Sequence, residues 1–458
     1  MVIRKSFLIP ALLLALGTLN ACTGAQPSET TEAPAKGNGT APDWTKDAVS
    51  YEVNVRQYSP EGTLAAVEKE LPRLAAMGVD ILWLMPIHPI GIENRKGTMG
   101  SYYAVRDFKA VNAEFGTDED FKRFVQKAHE QGLYVILDWV ANHSAWDNDL
   151  VNTHPDWYTR DSTGAIIPPV PDWSDVADFN YDKGALRNYM VDCLKYWVEE
   201  FDIDGYRCDV AGSVPIAFWD SARAELDALK PVFMLAEAEE AAMHTKAFDM
   251  TYAWTLHHTM NHLAQGKATL DELDAHWHRE DSIYEPSAYR MVFTSNHDEN
   301  SWNGTEFERL GEAAKAMAVF SFTVPGMPLI YSGQEAPVQK RLDFFEKDPI
   351  AWNNYAFGDF YTKLCSLKSS QNALWNGIHG GGMRRLATSD DTRIYAFTRG
   401  DNQVLCLFNF SPEAIRASLK ENAPAGSYQE YFSGESLSGA APLSMELPAW
   451  GYRVYVRQ

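Results

Sequence analysis

From Val49 to Leu367 the chain alternates apolar runs of strand length with segments whose apolar residues recur at helical spacing. The strand-like runs fall at 49–58, 79–87, 133–139, 203–211, 232–236, 248–254, 290–295 and 329–332. Helical patterns follow them, as at 64–77, where Leu64, Val67, Leu71 and Leu74 share a face, and at 118–131, opened by Thr117 and closed by Gly132. Several strand runs are almost continuously apolar, as suits strands of a parallel sheet covered on both faces. Eight strand–helix units in this order predict an α/β fold, a (β/α)8 TIM barrel.

Two departures from the alternation mark further parts. Between the third and fourth units, residues 144–182 are rich in Asp, Pro and Trp and carry little periodicity, so a long loop or short subdomain is expected there. From about residue 372 short strand patterns punctuated by Gly and Pro replace the helices, which predicts a C-terminal antiparallel β-sandwich domain over 372–458. The barrel is then expected over 44–371.

Acids recur where apolar runs stop. In Ile203-Asp204-Gly205-Tyr206-Arg207-Cys208-Asp209 an Arg and an Asp stand two apart, hence on one side of a strand. Glu237 ends a second run and Asp298 follows a third, Met291 to His297. Catalytic groups in barrels of this type lie at the carboxyl ends of the strands. The formal net charge of −22 argues against nucleic acid as a partner, because phosphate backbones need clustered Lys and Arg. Cys193, Cys208, Cys365 and Cys406 lack metal-type spacing and read as buried thiols, although pairing cannot be read from one sequence.

At the amino end Arg4 and Lys5 precede an apolar run over 7–16, too short to span a bilayer but suited to a signal peptide over 1–21. It ends in Leu19-Asn20-Ala21-Cys22, which resembles the lipobox of bacterial lipoproteins and implies lipidation at Cys22. The alternative is an ordinary cleavage site with a chance Cys. Residues 22–43 are rich in Pro, Thr, Gly and Ala and read as a disordered tether. The expected location is the bacterial cell envelope, lipid-anchored, on the outer membrane because Thr23 stands where Asp marks inner-membrane retention.

Four segments together resemble the signatures of the α-amylase family, glycoside hydrolase family thirteen. They are Asp138-Trp139-Val140-Ala141-Asn142-His143, Gly205-Tyr206-Arg207-Cys208-Asp209, Phe233-Met234-Leu235-Ala236-Glu237 and Ser295-Asn296-His297-Asp298. Supporting matches lie at 78–86, 176–180 and 326–335. The resemblance implies a retaining glycosidase acting on α-1,4-linked glucans or malto-oligosaccharides. In it Asp209 is the nucleophile, Glu237 the general acid/base and Asp298 the third carboxylate. Arg207 pairs with the nucleophile, His143 and His297 bond the sugar at the cleavage point, and Tyr103 stacks on its ring. Chemistry points the same way: glycoside cleavage needs a proton donor and an anion facing an oxocarbenium-like centre. An Arg207 contact is expected to keep Asp209 low in pKa and ionised, and the apolar and anionic surroundings of Glu237 to favour its protonated form. Asp138 reads as a buried acid that positions neighbouring loops.

No cofactor is expected to be required. Asn142 is either a loop-capping residue or a calcium ligand as in many family members, and Gly212-Ser213 stand where those members carry Lys-His, whose carbonyl often helps hold the ion. The other readings are a transglycosylase or isomerase on the same glucans, and a non-catalytic glycan-binding lipoprotein, which the retained acids disfavour.

Overall fold

The computed structural model describes residues 41–421, 423–440 and 442–458. The signal peptide, Cys22 and nearly all of the tether lie outside the described residues. A closed parallel barrel forms from β1 (Ser50–Val53), β2 (Ile81–Leu84), β3 (Tyr134–Trp139), β4 (Gly205–Cys208), β5 (Phe233–Ala236), β6 (Met250–Tyr252), β7 (Tyr289–Phe293) and β8 (Met327–Tyr331). Each strand pairs with its neighbours in sequence, and β8 closes on β1 with Ser50 opposite Leu329. The interior is filled by alternate residues, among them Ile81, Trp83, Ile136, Phe233, Leu235, Met291, Phe293 and Leu329. Their outward neighbours pack under the helices.

Local chemistry shortens some expected elements. The run 49–58 is a strand only to Val53, because the Asn54 side chain accepts the Gln57 N–H (3.3 Å) and starts a helical turn, Val55–Tyr58. The pattern over 64–77 divides into Leu64–Glu68 and Leu71–Met77, with Pro72 in the first turn of the second piece, where its missing N–H costs least. A helix not evident from the sequence pattern, Leu270–Ile283, opens with a capping box at Thr269 and Glu272. The segment 144–182 contributes a small antiparallel ribbon, His143–Ala145 with Val176–Asp178.

The C-terminal part is a six-stranded antiparallel sheet plus a two-stranded ribbon, Ile415–Ser418 with Ser444–Leu447. The sheet seats on the barrel through Phe320 of the helix Ala314–Thr323. The Phe320 ring meets Tyr395, Phe397, Phe408 and Phe410 edge-on, at centroid distances of 5.4–6.1 Å. The Arg399 guanidinium adds a bond to the Thr323 carbonyl at 2.7 Å. Cys193, Cys208, Cys365 and Cys406 are buried free thiols. Among the described residues no helix is long and apolar enough to cross a membrane.

One glycine decides how closely β4 meets β5. A Cβ on Gly205 would lie 1.9 Å from the Phe233 carbonyl oxygen, a backbone atom that cannot step aside. Gly205→Ala should therefore cost about 1–3 kcal/mol or more in thermal or urea unfolding, the range of core overpacking. A melting temperature equal to that of the parent chain would contradict this.

Candidate active site

Strand alternation sends Gly205 and Arg207 into the barrel and Tyr206 and Cys208 into the shell under the helices. Register places Asp138 of β3 directly across from Arg207 of β4. Asp209 and Glu237 each sit just past the carboxyl end of their strand, and His297 and Asp298 follow β7. Glu52 comes up β1, and Tyr103 lies in the connection after β2. The expected acids thus meet at one mouth of the barrel.

Arg207 holds them. Its side chain is 0% exposed. Nη1 donates to Asp138 Oδ1 at 2.8 Å and to Asp209 Oδ1 at 3.0 Å, and Nε donates to the Tyr252 hydroxyl at 3.1 Å. Nη2 stands 2.9 Å from Glu237 Oε2, an ion-pair distance, but off the direction of a hydrogen bond. Trp83 lies beneath, its ring centroid 5.1 Å from the guanidinium carbon, and its indole N–H donates to Asp138 Oδ2 at 3.1 Å. Asp138, occupied on both oxygens, braces the guanidinium and has no free edge for a substrate.

Glu237 Oε2 also accepts the Val210 N–H at 2.7 Å. That contact requires Val210 in the left-handed region, at φ 36° and ψ 46°, an unfavourable conformation for a β-branched residue. The strain falls between Asp209 and its partner acid. Beyond Glu237, the chain is pinned through Glu239, which accepts from Thr255 N (2.9 Å) and pairs with Arg290 (3.1 Å).

The expectation of a low pKa for Asp209 is corrected. Burial pushes its carboxyl well above the ordinary value; Arg207 opposes this, while Glu237, Asp138 and Asp298 add to it. One guanidinium divided among three carboxylates cannot stabilise all of them as anions. The coupled group therefore holds back a proton that a surface pair would lose.

His297 bridges two sets of acids. Its Nδ1 lies 2.5 Å from Glu52 Oε1, and its Nε2 lies 2.8 Å from the Tyr103 hydroxyl and 3.4 Å from Asp298 Oδ2. Burial opposes charge on the ring, but Asp298 and Glu52 outweigh it and raise His297 to about 9. The Tyr103 hydroxyl also reaches Asp138 Oδ2 at 3.0 Å, so Tyr103 ties the Arg207 cluster to His297. The Tyr103 ring stacks on His297 at a centroid distance of 5.5 Å.

His143 is a different kind of histidine. Burial lowers it to about 4, which keeps the imidazole neutral, and its Nδ1 lies 3.3 Å from the Asn142 amide. Its ring meets Trp173 of the 144–182 segment edge-on at 5.6 Å. The Asn142 carbonyl is engaged by the Phe179 N–H at 3.1 Å, a loop-fastening contact. A side-chain cation tethers the same segment: Lys96 Nζ donates to the Asp172 carbonyl at 2.5 Å and lies 3.2 Å from Asp175.

The sequence reading missed Glu52, Trp83, Tyr252 and Val210. Glu52 left a usable trace, since it is the lone charge inside Val49-Ser50-Tyr51-Glu52-Val53. Trp83 and Tyr252 looked like ordinary core aromatics.

Comparison with known proteins agrees with this fold. Residues 31–169 and 170–369 match the family model described as the α-amylase catalytic domain, and residues 387–446 match the α-amylase C-terminal all-beta domain. The α-amylase MalA of Haloarcula japonica is 29% identical over 414 residues, covering 84% of this chain and 58% of that relative. The chain thus spans less than two thirds of that protein. Among solved structures, the maltogenic α-amylase AmyB of Thermotoga neapolitana is 33% identical with a TM-score of 0.81, covering 91% of this chain and 100% of the other. An α-amylase of Lactobacillus plantarum is 30% identical with a TM-score of 0.80, covering 90% and 100%.

The Glu52–His297 contact has a measurable consequence. His297 keeps its charge below about pH 9 and loses it as pH rises through that value. Glu52→Gln removes one of the two anions that raise it, so the ring should titrate at least about one pH unit lower. NMR titration of the imidazole reads this directly, and an unmoved titration would show that Glu52 does not set the charge.

Proposed function

This chain belongs to the α-amylase family, and from that premise we propose that it is a retaining glycoside hydrolase. Its substrates are α-1,4-linked glucans of the starch type or malto-oligosaccharides. The observation that carries the reading is the sharing of Arg207. Asp209 and Glu237 reach adjacent nitrogens of one guanidinium, at 3.0 and 2.9 Å, at the carboxyl mouth of the barrel. Two carboxyl groups so close suit double displacement, for which about 5–5.5 Å between them is typical.

The roles follow from the contacts. Arg207 makes a directed hydrogen bond to Asp209 and only an oblique approach to Glu237. The directed hydrogen bond orients Asp209 as the attacking group, which leaves the acid/base role to Glu237. Its Oε2 is taken by the Val210 N–H, which leaves Oε1 to exchange a proton with the substrate. In the first step Glu237 gives the proton to the glycosidic oxygen as Asp209 attacks the anomeric carbon, and the leaving sugar departs with its new hydroxyl. In the second step Glu237 takes a proton from water, whose oxygen displaces Asp209. The α configuration is restored and both carboxyl groups return to their starting forms.

Asp298, the most exposed of these acids with a side chain 35% exposed, is placed to hold sugar hydroxyls beside the charged His297. His143 offers a neutral imidazole to the same sugar, and Tyr103 a ring face. The chemistry uses carboxyl groups alone and calls on no cofactor. For location we read Leu19-Asn20-Ala21-Cys22 as a lipidation signal that anchors the enzyme in the cell envelope, on the outer membrane.

Asp209→Asn should lower turnover of an α-1,4-glucoside by about two to four decades, the scale of losing one participant in the proton and bond transfers. Incubation of the wild-type chain with starch, maltotriose, pullulan and a cyclodextrin should release products first in the α-anomeric form. Initial β-anomer would sink the double displacement, and products longer than the substrate would make the enzyme a transferase. For the anchor, Cys22→Ser should move the protein from the membrane to the soluble fraction on cell fractionation. Unchanged membrane association would refute lipidation there.

A further inference from the structure

A cavity of about 850 Å³ opens on the outer wall of the barrel, where helix Leu270–Ile283 and the connection 375–382 face the C-terminal sheet. Its lining residues include none of the site residues assigned above. In volume it lies within the range of small-molecule sites, about 300–1,000 Å³. Aromatic side chains line it: Trp277 and Tyr284 from the barrel side, Trp375 from the connection and Tyr395 from the sheet. Arg290, Arg385 and Arg399 line it too, and they are not equivalent.

Arg290 pairs with Glu280 at 2.8 Å and with Glu239 at 3.1 Å, and Arg385 pairs with Asp274 at 3.4 Å. Arg399 is only 2% exposed, and among the described residues no carboxylate pairs with it. Its Nε donates to the Gly381 carbonyl at 2.9 Å and its Nη1 to the Thr323 carbonyl at 2.7 Å, which leaves Nη2 without an acceptor among the described residues. Gly380 keeps the approach to that nitrogen clear, since a Cβ there would stand 3.4 Å from Nη2. A second buried cation adds to the imbalance. Lys368, 0% exposed, donates to the carbonyls of Gly326, at 2.7 Å, and Leu374. Burial and the Arg399 charge hold its ammonium well below the usual lysine value, while burial lowers Arg399 only to about 10 and leaves it charged near neutrality. Carbonyl dipoles solvate a guanidinium without neutralising it, and a buried charge is ordinarily matched by an opposite one. The acids of the lining do not supply the match. Asp274 and Glu280 are held by Arg385 and Arg290, and Asp281 and Glu285 are exposed, where water and salt screen them.

We propose that Arg399 is the floor of a ligand site for a small organic oxyanion, with a phosphate or carboxylate head on Nη2 and the body of the ligand against the aromatic wall. Such a head gives the one unmatched guanidinium of the wall a charge-assisted hydrogen bond, the strong kind. The site lies apart from the catalytic mouth and stands whether or not the glycosidase reading does.

The probes are inorganic phosphate, acetate and glucose 1-phosphate, each titrated calorimetrically into the full chain in detergent at constant ionic strength. About one equivalent per chain is expected, with glucose 1-phosphate binding more tightly than phosphate because its body meets the wall. Phosphate binding more tightly than acetate makes the head a phosphate, and the reverse order makes it a carboxylate; either supports the site. Arg399→Met should weaken the binding of phosphate by about tenfold or more, the scale of losing one charge-assisted bond. Arg399 also fastens Thr323, so a second variant leaves it in place. Gly382 lines the groove and a Cβ there meets nothing within 4 Å, so Gly382→Trp should crowd out glucose 1-phosphate without disturbing the fold. Loss of glucose 1-phosphate binding in Gly382→Trp supports the site even if Arg399→Met does not fold. Absence of binding by all three anions, or an equivalent that neither variant weakens, overturns it.

Discussion

The buried guanidinium of Arg207 is the interaction on which the site depends. A cation without solvent must find anions, and Arg207 finds Asp138, Asp209 and Glu237 within 3.0 Å. Each acid is delivered by a different strand, so the barrel must close in one register for the cluster to be neutralised at all. Removing one member of such a group leaves the others buried and uncompensated, which is far costlier than losing a surface pair. The catalytic arrangement and the order of strands β3, β4 and β5 are therefore held by the same contacts.

Around that centre the acids still outnumber the cations. Glu52 and Asp298 flank His297, and the nearest cations to the whole group are His297 and Arg207. Burial makes this excess expensive, and the protein meets it by keeping protons: on the imidazole of His297, and within the group of Asp209 and its neighbours. A retaining glycosidase needs one carboxyl group that attacks and one that donates. On the reading proposed above, crowding acids around a single guanidinium supplies both from residues of nearly identical intrinsic acidity. The left-handed backbone at Val210 belongs to the same economy of position, since it gives Glu237 a fixed donor that the strand geometry would otherwise point elsewhere.

The outer shell repeats the theme of elements held by a few directed contacts. Phe320 inserts among four aromatic rings of the C-terminal sheet, and Arg399 caps the same helix. This junction leaves the aromatic groove open beside it. Lys96 draws in the loop after β3, and Arg290 braces the chain beyond Glu237. Catalytic loops are usually the mobile part of a barrel, and here salt bridges of partly buried groups fasten them.

Much of this was legible in the residues. The alternation of strand and helix patterns pointed to a parallel sheet covered on both faces, and the count of eight units pointed to its closure as a barrel. The spacing of Arg207 and Asp209 placed both on one side of a strand, and the signature segments identified Glu237, Asp298, His143, His297 and Tyr103 as their company. What the sequence could not decide is the sign and sharing of charge. Whether Asp209 is a comfortable anion depends on how many acids divide one guanidinium, and that number is a property of distance, not of order along the chain. Glu52 as the partner of His297, Trp83 as the floor under Arg207, and the strained turn at Val210 all join residues separated by tens to hundreds of positions. They exist only once the barrel closes, because burial turns a modest attraction in water into a strong one and leaves an unmatched charge nowhere to go.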